Sequence, residues 1–135
     1  MGHGYIYKCR KCGNEEQLKV GVGWMYPNPS EVMADIENGL YGNGAKEFYN
    51  RFRDSAFVTP YSAIYACQCG SVEERLHIIM SDASEPPARR AFTPRHKCSK
   101  CGKVMKLQNE PPLKMPCPKC NEVMKLELEE EILWD

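Results

Sequence analysis

The residues with the clearest chemistry in this 135-residue chain are its eight cysteines. Three close pairs have the form C-x-x-C and one has the form C-x-C, and a glycine or asparagine follows each pair. Two thiolates held by such a tight turn can bind one ion, and Zn²⁺ takes four sulfur ligands at about 2.3 Å. The pattern therefore predicts two four-cysteine metal sites rather than disulfides. The pairs are Cys9 with Cys12, Cys67 with Cys69, Cys98 with Cys101, and Cys117 with Cys120.

Spacing along the chain indicates how the pairs combine. Fifteen residues separate Cys101 from Cys117, which is a spacing typical of zinc sites. Interleaved pairing would need longer excursions of the chain around both sites, so consecutive pairing is the prediction. It assigns Cys9, Cys12, Cys67 and Cys69 to one ion, and Cys98, Cys101, Cys117 and Cys120 to the other.

An internal repeat supports this pairing. Residues 98–107 and 117–126 share seven of ten positions, including both cysteines and the V-M-K-L that ends each copy. Two similar turns, each leading into a short strand, are expected to face one another across one ion. The alternate spacing of Met105 with Leu107, and of Met124 with Leu126, predicts an apolar floor beneath the metal.

Hydrophobic patterns predict the elements that hold the cysteines. Alternating apolar residues predict strands on both sides of the first pair and of the second pair, around residues 5–22 and 61–80. Between them, apolar residues at helical spacing predict two helices. They are Glu31–Asn38, with Ser30 as its N-terminal cap, and Ala45–Asp54.

Residues 98–126 resemble a zinc ribbon of the rubredoxin-like type, and residues 5–22 with 61–80 resemble a second ribbon split by an insertion. The whole chain is similar to small bacterial double-zinc-ribbon proteins of uncharacterised role. The resemblance implies a small metal-stabilised α+β fold with two Zn²⁺, built from two ribbons of short antiparallel β-hairpins. The first ribbon (1–81) carries a two-helix insertion at about 24–60, a linker covers 82–93, and the second ribbon covers 94–135.

Candidate catalytic groups are missing from the sequence. Eight cysteines complete two four-coordinate sites, whereas a catalytic zinc keeps an open position beside three protein ligands. The three histidines, His3, His77 and His96, are isolated, and no nucleophile elbow or dinucleotide fingerprint is present. The sequence predicts a non-catalytic adaptor. Because iron accepts the same four thiolates, a rubredoxin-like iron electron carrier is the alternative.

Charge is zero overall but unevenly distributed. Residues 86–109 contain seven basic side chains and no acid, a run that can neutralise phosphates. The opposing interpretation is that the acidic segment 127–131 folds against the basic residues, so a protein partner and a nucleic-acid partner both stay open. The candidate nucleic-acid contacts are Arg89, Arg90, Phe92, Arg95, Lys97 and Lys100.

No apolar run approaches the roughly 20 residues that cross a bilayer, and the first residues lack the apolar core of a signal peptide. The sequence therefore predicts a cytoplasmic protein that does not enter membranes. It indicates no small-molecule substrate and leaves the oligomeric state open.

Overall fold

The computed structural model describes residues 2–23, 26–82, 90–127 and 132–134 as a small α+β structure with two antiparallel sheets and two helices. In that part of the chain, neither helix is long and apolar enough to cross a bilayer. The elements are β1 (Gly2–Cys9), β2 (Glu15–Val20), α1 (Pro29–Glu37), α2 (Asn43–Arg51), β3 (Ala56–Ala66), β4 (Val72–Asp82), β5 (Ala91–Phe92), β6 (Lys106–Leu107), β7 (Lys114–Pro116), β8 (Val123–Leu126) and β9 (Ile132–Trp134).

The first sheet joins the beginning of the described chain to its end. Its strand order is β2-β1-β8-β7, and β9 also pairs with β1. β1 and β2 form a complete hairpin whose register places Tyr5 opposite Leu18. On the other edge of β1, Tyr7 lies opposite Leu126 of β8. β1 is therefore the strand on which the sheet is assembled.

The second sheet has the strand order β5-β4-β3-β6. β3 and β4, each eleven residues long, form a hairpin in one continuous register. Ala56 lies opposite Asp82 at one end, and Ala66 lies opposite Val72 at the other. α1 and α2 cover one face of this hairpin, because their apolar residues pack against those of β3 and β4. This cluster contains the buried residues Val32, Ile36, Ala45, Val58, Ile78 and Met80.

Both predicted helices are present, but α1 begins earlier than expected. The side-chain oxygen of Asn28 accepts the N–H of Ser30 at 3.0 Å, and Pro29 occupies the first helical turn. Asn28 is therefore the cap, and the prediction of Ser30 was wrong by two residues. A proline with a fixed φ suits the first turn, where its missing N–H costs no hydrogen bond.

The sheets do not follow the predicted division into residues 1–81 and 94–135. The first sheet pairs strands from 2–20 with strands from 114–134, and the second pairs strands from 56–82 with 91–107. The helices follow the complete β1–β2 hairpin instead of opening it. Of the predicted linker 82–93, residues 83–89 lie outside the described residues.

A buried cluster joins the two sheets. Tyr7 and Met124 of the first sheet are fully buried and pack in the same cluster as Ile64 of the second sheet. The Tyr7 hydroxyl donates a 2.6 Å hydrogen bond to the carbonyl of Pro112, so its polar end is satisfied within the protein. Burial raises the pKa of Tyr7 to about 12 and keeps the hydroxyl protonated as a donor.

Met124→Ala is expected to destabilise the protein by about 2–5 kcal/mol, because it leaves a cavity where the side chain is 0% exposed. The neighbouring Val123 is 56% exposed, so Val123→Ala is the matched control and should cost less than about 1 kcal/mol. Denaturant unfolding of the metal-loaded proteins measures both. Equal losses for the two variants would show that this cluster does not hold the sheets together.

Candidate metal centres

Two groups of four cysteine sulfurs lie close enough to bind one ion each. Within each group, all four sulfurs are within 4.8 Å of one another. The nearest sulfurs of different pairs approach to 3.5 and 3.6 Å in one group and to 3.3 and 3.7 Å in the other. Centre A contains Cys9, Cys12, Cys117 and Cys120, and centre B contains Cys67, Cys69, Cys98 and Cys101.

The predicted consecutive pairing is wrong. The structure combines the first cysteine pair with the fourth and the second with the third, so centre B lies inside the loop that centre A closes. Strand pairing is the physical reason. β1 ends at Cys9 directly opposite Met124 of β8, which brings the first pair beside the fourth. β3 pairs with β6 at Tyr65 and Ala66, which brings the second pair beside the third.

The internal repeat is therefore divided between the centres. The copy at 98–107 supplies two ligands to centre B, and the copy at 117–126 supplies two ligands to centre A. Their similarity reflects the same turn used twice, and the two copies do not face each other across one ion. The predicted single apolar floor is divided in the same way, because Met105 packs in a cluster with centre B cysteines and Met124 packs in another cluster with centre A cysteines.

Each cysteine pair forms a tight hydrogen-bonded turn, which we call a knuckle. In the first knuckle, the N–H of Gly13 donates to the carbonyl of Cys9 at 2.9 Å, and the N–H of Cys9 donates to the carbonyl of Asn14 at 2.8 Å. The third and fourth knuckles repeat both bonds at equivalent positions. The four knuckles are residues 9–14, 67–71, 98–103 and 117–122.

The second knuckle closes in the same way although its C-x-C motif is one residue shorter. The N–H of Gly70 donates to the carbonyl of Cys67, and the N–H of Cys67 donates to the carbonyl of Ser71, both at 2.9 Å. The missing residue shortens each loop by one position and leaves both bonds in place. The C-x-C motif therefore presents its thiols as the C-x-x-C motifs do.

At several of the cysteines, local hydrogen bonds favour the thiolate form that binds metal. The backbone N–H of Cys12 lowers the pKa of the Cys9 thiol, and the equivalent N–H in the third knuckle lowers that of Cys98. In the second knuckle, the side chain of Ser71 lowers the pKa of Cys69 to about 6. Donors of this kind stabilise a negative sulfur, which is the form required of a ligand.

Burial divides the ligands of both centres in the same way. The first cysteine of every pair is buried, and the second is exposed or half-buried. Each group of sulfurs consequently lies between an apolar floor and solvent. An ion there can enter from the solvent side while the buried thiolates fix its position.

The sulfur arrangement fits a tetrahedral ion. Four ligands at about 2.3 Å from one Zn²⁺ lie about 3.8 Å apart along the edges of the tetrahedron. The measured approaches of 3.3–3.7 Å are near this value. They are far longer than the S–S bond of about 2.05 Å in a disulfide, and all eight cysteines are free.

Two residues that contact the ligands were missed by the sequence prediction. The amide of Asn14 donates to the sulfur of Cys117 at 3.7 Å, across centre A. The hydroxyl of Ser71 lies 3.2 Å from the sulfur of Cys69. Both residues directly follow the knuckle glycine, so a polar side chain at that position is the signal that could have revealed them.

His77 and His96 belong to neither group of cysteines and make other contacts. The His96 Nε2 lies 2.5 Å from the carbonyl of Leu76, and the ring contacts Tyr65 edge-on. The Tyr65 hydroxyl is 2.6 Å from Nδ1 of His77. Burial lowers the pKa of both histidines, so these rings stay neutral in the packed layer beside centre B.

The candidate nucleic-acid contacts are not all on one surface. Arg95, Lys97 and Lys100 are exposed on the third knuckle and the segment leading into it. Phe92 is half-buried and stacks on Phe48 of α2, with ring centres 5.8 Å apart. Arg90 is exposed, and its N–H donates to Asp82 at 2.9 Å. Arg89 lies outside the described residues.

No protein-family model, curated protein or solved structure matches this chain. The assignment of two metal centres therefore comes from the cysteine geometry itself.

Paired cysteine substitutions distinguish the observed pairing from the consecutive one. Cys9→Ser with Cys117→Ser removes two ligands from centre A alone, so this variant should keep one metal ion per chain. Cys9→Ser with Cys67→Ser damages both centres and should keep none. Elemental analysis of the purified variants gives the metal content. The reverse result, with one ion kept only in the second variant, would contradict the observed pairing.

Asn121 gives a test of the knuckle backbone. Its φ is 64°, and the glycines that follow the other cysteine pairs also have positive φ. Asn121→Ala should lower the free energy of unfolding of the metal-loaded protein by about 1 kcal/mol, because alanine strains this backbone. Asn121→Gly is the control and should be neutral. Denaturant unfolding measures the difference, and identical stabilities of the alanine and glycine variants would refute this role.

Proposed function

We propose that this protein is a non-catalytic zinc-binding adaptor of the zinc-ribbon type, in which two Zn²⁺ stabilise hairpins that contact a macromolecular partner. The observation that carries the proposal is the completeness of the two donor sets. Each centre offers four thiols and needs no further ligand from the protein. A substrate has no open coordination position at such a site, so the ions act on the fold.

The position of the centres supports a structural role for the metal. Centre A connects knuckles separated by 104 residues, from Cys12 to Cys117, and centre B connects knuckles separated by 28, from Cys69 to Cys98. Binding an ion to sites that exist only in the folded chain contributes directly to folding free energy. Removing the metal should therefore separate the hairpins that each ion joins.

The zinc-ribbon assignment rests on local geometry. Every knuckle lies at the end of an antiparallel pairing, and two knuckles converge on each ion. Zinc suits a closed four-thiolate set, and reduced thiols stay available for metal in the cytoplasm, which is the location we propose. Iron is the alternative ion, because the same donors and the same N–H groups near sulfur suit an iron electron carrier.

Metal content and colour of the protein, purified without added metal, test the proposal. We expect two zinc ions per chain and no visible absorption, because Zn²⁺ has a filled d shell. Iron with thiolate charge-transfer bands would contradict the zinc adaptor and support the iron electron carrier.

Chelation of the metal-loaded protein provides the second measurement. If the ions are structural, their removal should abolish the near-ultraviolet circular dichroism of the tyrosines packed between the sheets. An unchanged spectrum after complete removal of metal would contradict the structural role.

A further inference from the structure

Residues 94–107 form a hairpin around the third knuckle, which we call the basic hairpin. Lys97 pairs with Val104, and the N–H of Met105 donates to the carbonyl of His96 at 2.8 Å. Pro94, His96 and Cys98 are buried, and the residues between them are exposed. The hairpin therefore has one face on the protein and the other in solvent.

The solvent face of the basic hairpin is strongly cationic. Directly opposed residues of an antiparallel pair share a face, and so do residues two positions apart on one strand. Arg95 and Lys106 consequently lie on the same face as Lys97 and Val104, and all four are exposed. The exposed basic residues of the hairpin, including two in the knuckle, are Arg95, Lys97, Lys100, Lys103 and Lys106.

None of these five cations forms an ion pair within the described ranges. The equivalent lysine of the first knuckle differs in this respect, because Lys11 pairs with Glu122 at 3.1 Å. Lys11 and Lys100 occupy the same position of a C-x-x-C motif. The knuckle turn itself therefore does not require an unpaired lysine. Like charges on one face of a strand pair repel one another, so the turn and its pairing do not explain the cations of the basic hairpin.

The described residues on both sides of the acidic segment are bound to the other sheet. On one side of it, the N–H of Glu127 donates to the carbonyl of Ile6 at 2.8 Å. On the other side, Ile132 pairs with Gly4. The chain thus enters and leaves this segment at β1, in the first sheet, whereas β6 of the basic hairpin pairs with β3 in the second.

We propose that the basic hairpin binds the phosphate backbone of nucleic acid. The proposal rests on the adaptor function and names its partner. Protein interfaces have centres depleted of charge and rich in aromatic residues, and lysine is rare there. Val104 is the one apolar residue on this exposed face, so the surface fits phosphates better than it fits a protein. Contacts to phosphates do not distinguish one base from another, so binding should be independent of the nucleotide sequence.

The test compares two triple variants with equal loss of charge. One replaces Arg95, Lys97 and Lys106 by Gln, and the control replaces Lys114, Lys119 and Lys125, which are exposed around centre A. Fluorescence anisotropy with a labelled single-stranded RNA of mixed sequence measures the affinity of the metal-loaded proteins over a salt series. Metal content and circular dichroism are recorded on the same samples.

The hairpin variant should bind about ten-fold more weakly at low salt, and the slope of log K against log salt should fall in magnitude by about 2, since each lost contact to a single strand removes about 0.7. The control variant should bind as the unmodified protein does. Equal weakening of both variants would show that the basic hairpin is not the binding surface. No binding by the unmodified protein would show that nucleic acid is not the partner. In either case, two zinc ions in a folded protein would leave the adaptor function standing.

Discussion

The convergence of four sulfurs at each centre is the constraint on which the other features of this structure depend. The turns that present the sulfurs are local, because two backbone hydrogen bonds and a residue of positive φ close each knuckle. Their convergence is not local, since each centre brings together two knuckles from distant parts of the chain. Short strands such as β6 and β7 have few hydrogen bonds of their own, so under the proposed function a metal ion bound at each centre would supply much of what positions them.

The nested order of the centres gives each of them a different position in the fold. Centre B lies where the basic hairpin meets one end of the β3–β4 hairpin, and the helices cover the other end of the β3–β4 hairpin. Centre A lies between the end of β1 and the β7–β8 hairpin, and the chain between its two cysteine pairs contains the described strands of the second sheet. Ile64 of β3 belongs to the centre A cluster, so packing couples the two metal regions.

The sequence predicted that the eight cysteines form two groups of four but not which pairs combine, and the reason is physical. Cysteine spacing and the following glycine or asparagine determine a knuckle within six residues, and the helices follow from apolar spacing within one segment. Pairing between knuckles depends on strand register, as in Cys9 opposite Met124. Loop length discriminates weakly, because each doubling of a flexible loop costs only about 0.6 kcal/mol. The 104-residue loop of centre A is about three doublings longer than the 15-residue loop favoured by spacing, a cost of about 2 kcal/mol that strand pairing and packing can outweigh.

The central claim is that one ion joins the first knuckle to the fourth and a second ion joins the second knuckle to the third. Crystallography at the zinc absorption edge tests this claim most directly. Anomalous difference density locates each ion independently of the protein atoms. The account predicts one peak surrounded by Cys9, Cys12, Cys117 and Cys120, and a second surrounded by Cys67, Cys69, Cys98 and Cys101. A peak that joins Cys12 to Cys67, or Cys101 to Cys117, would contradict it.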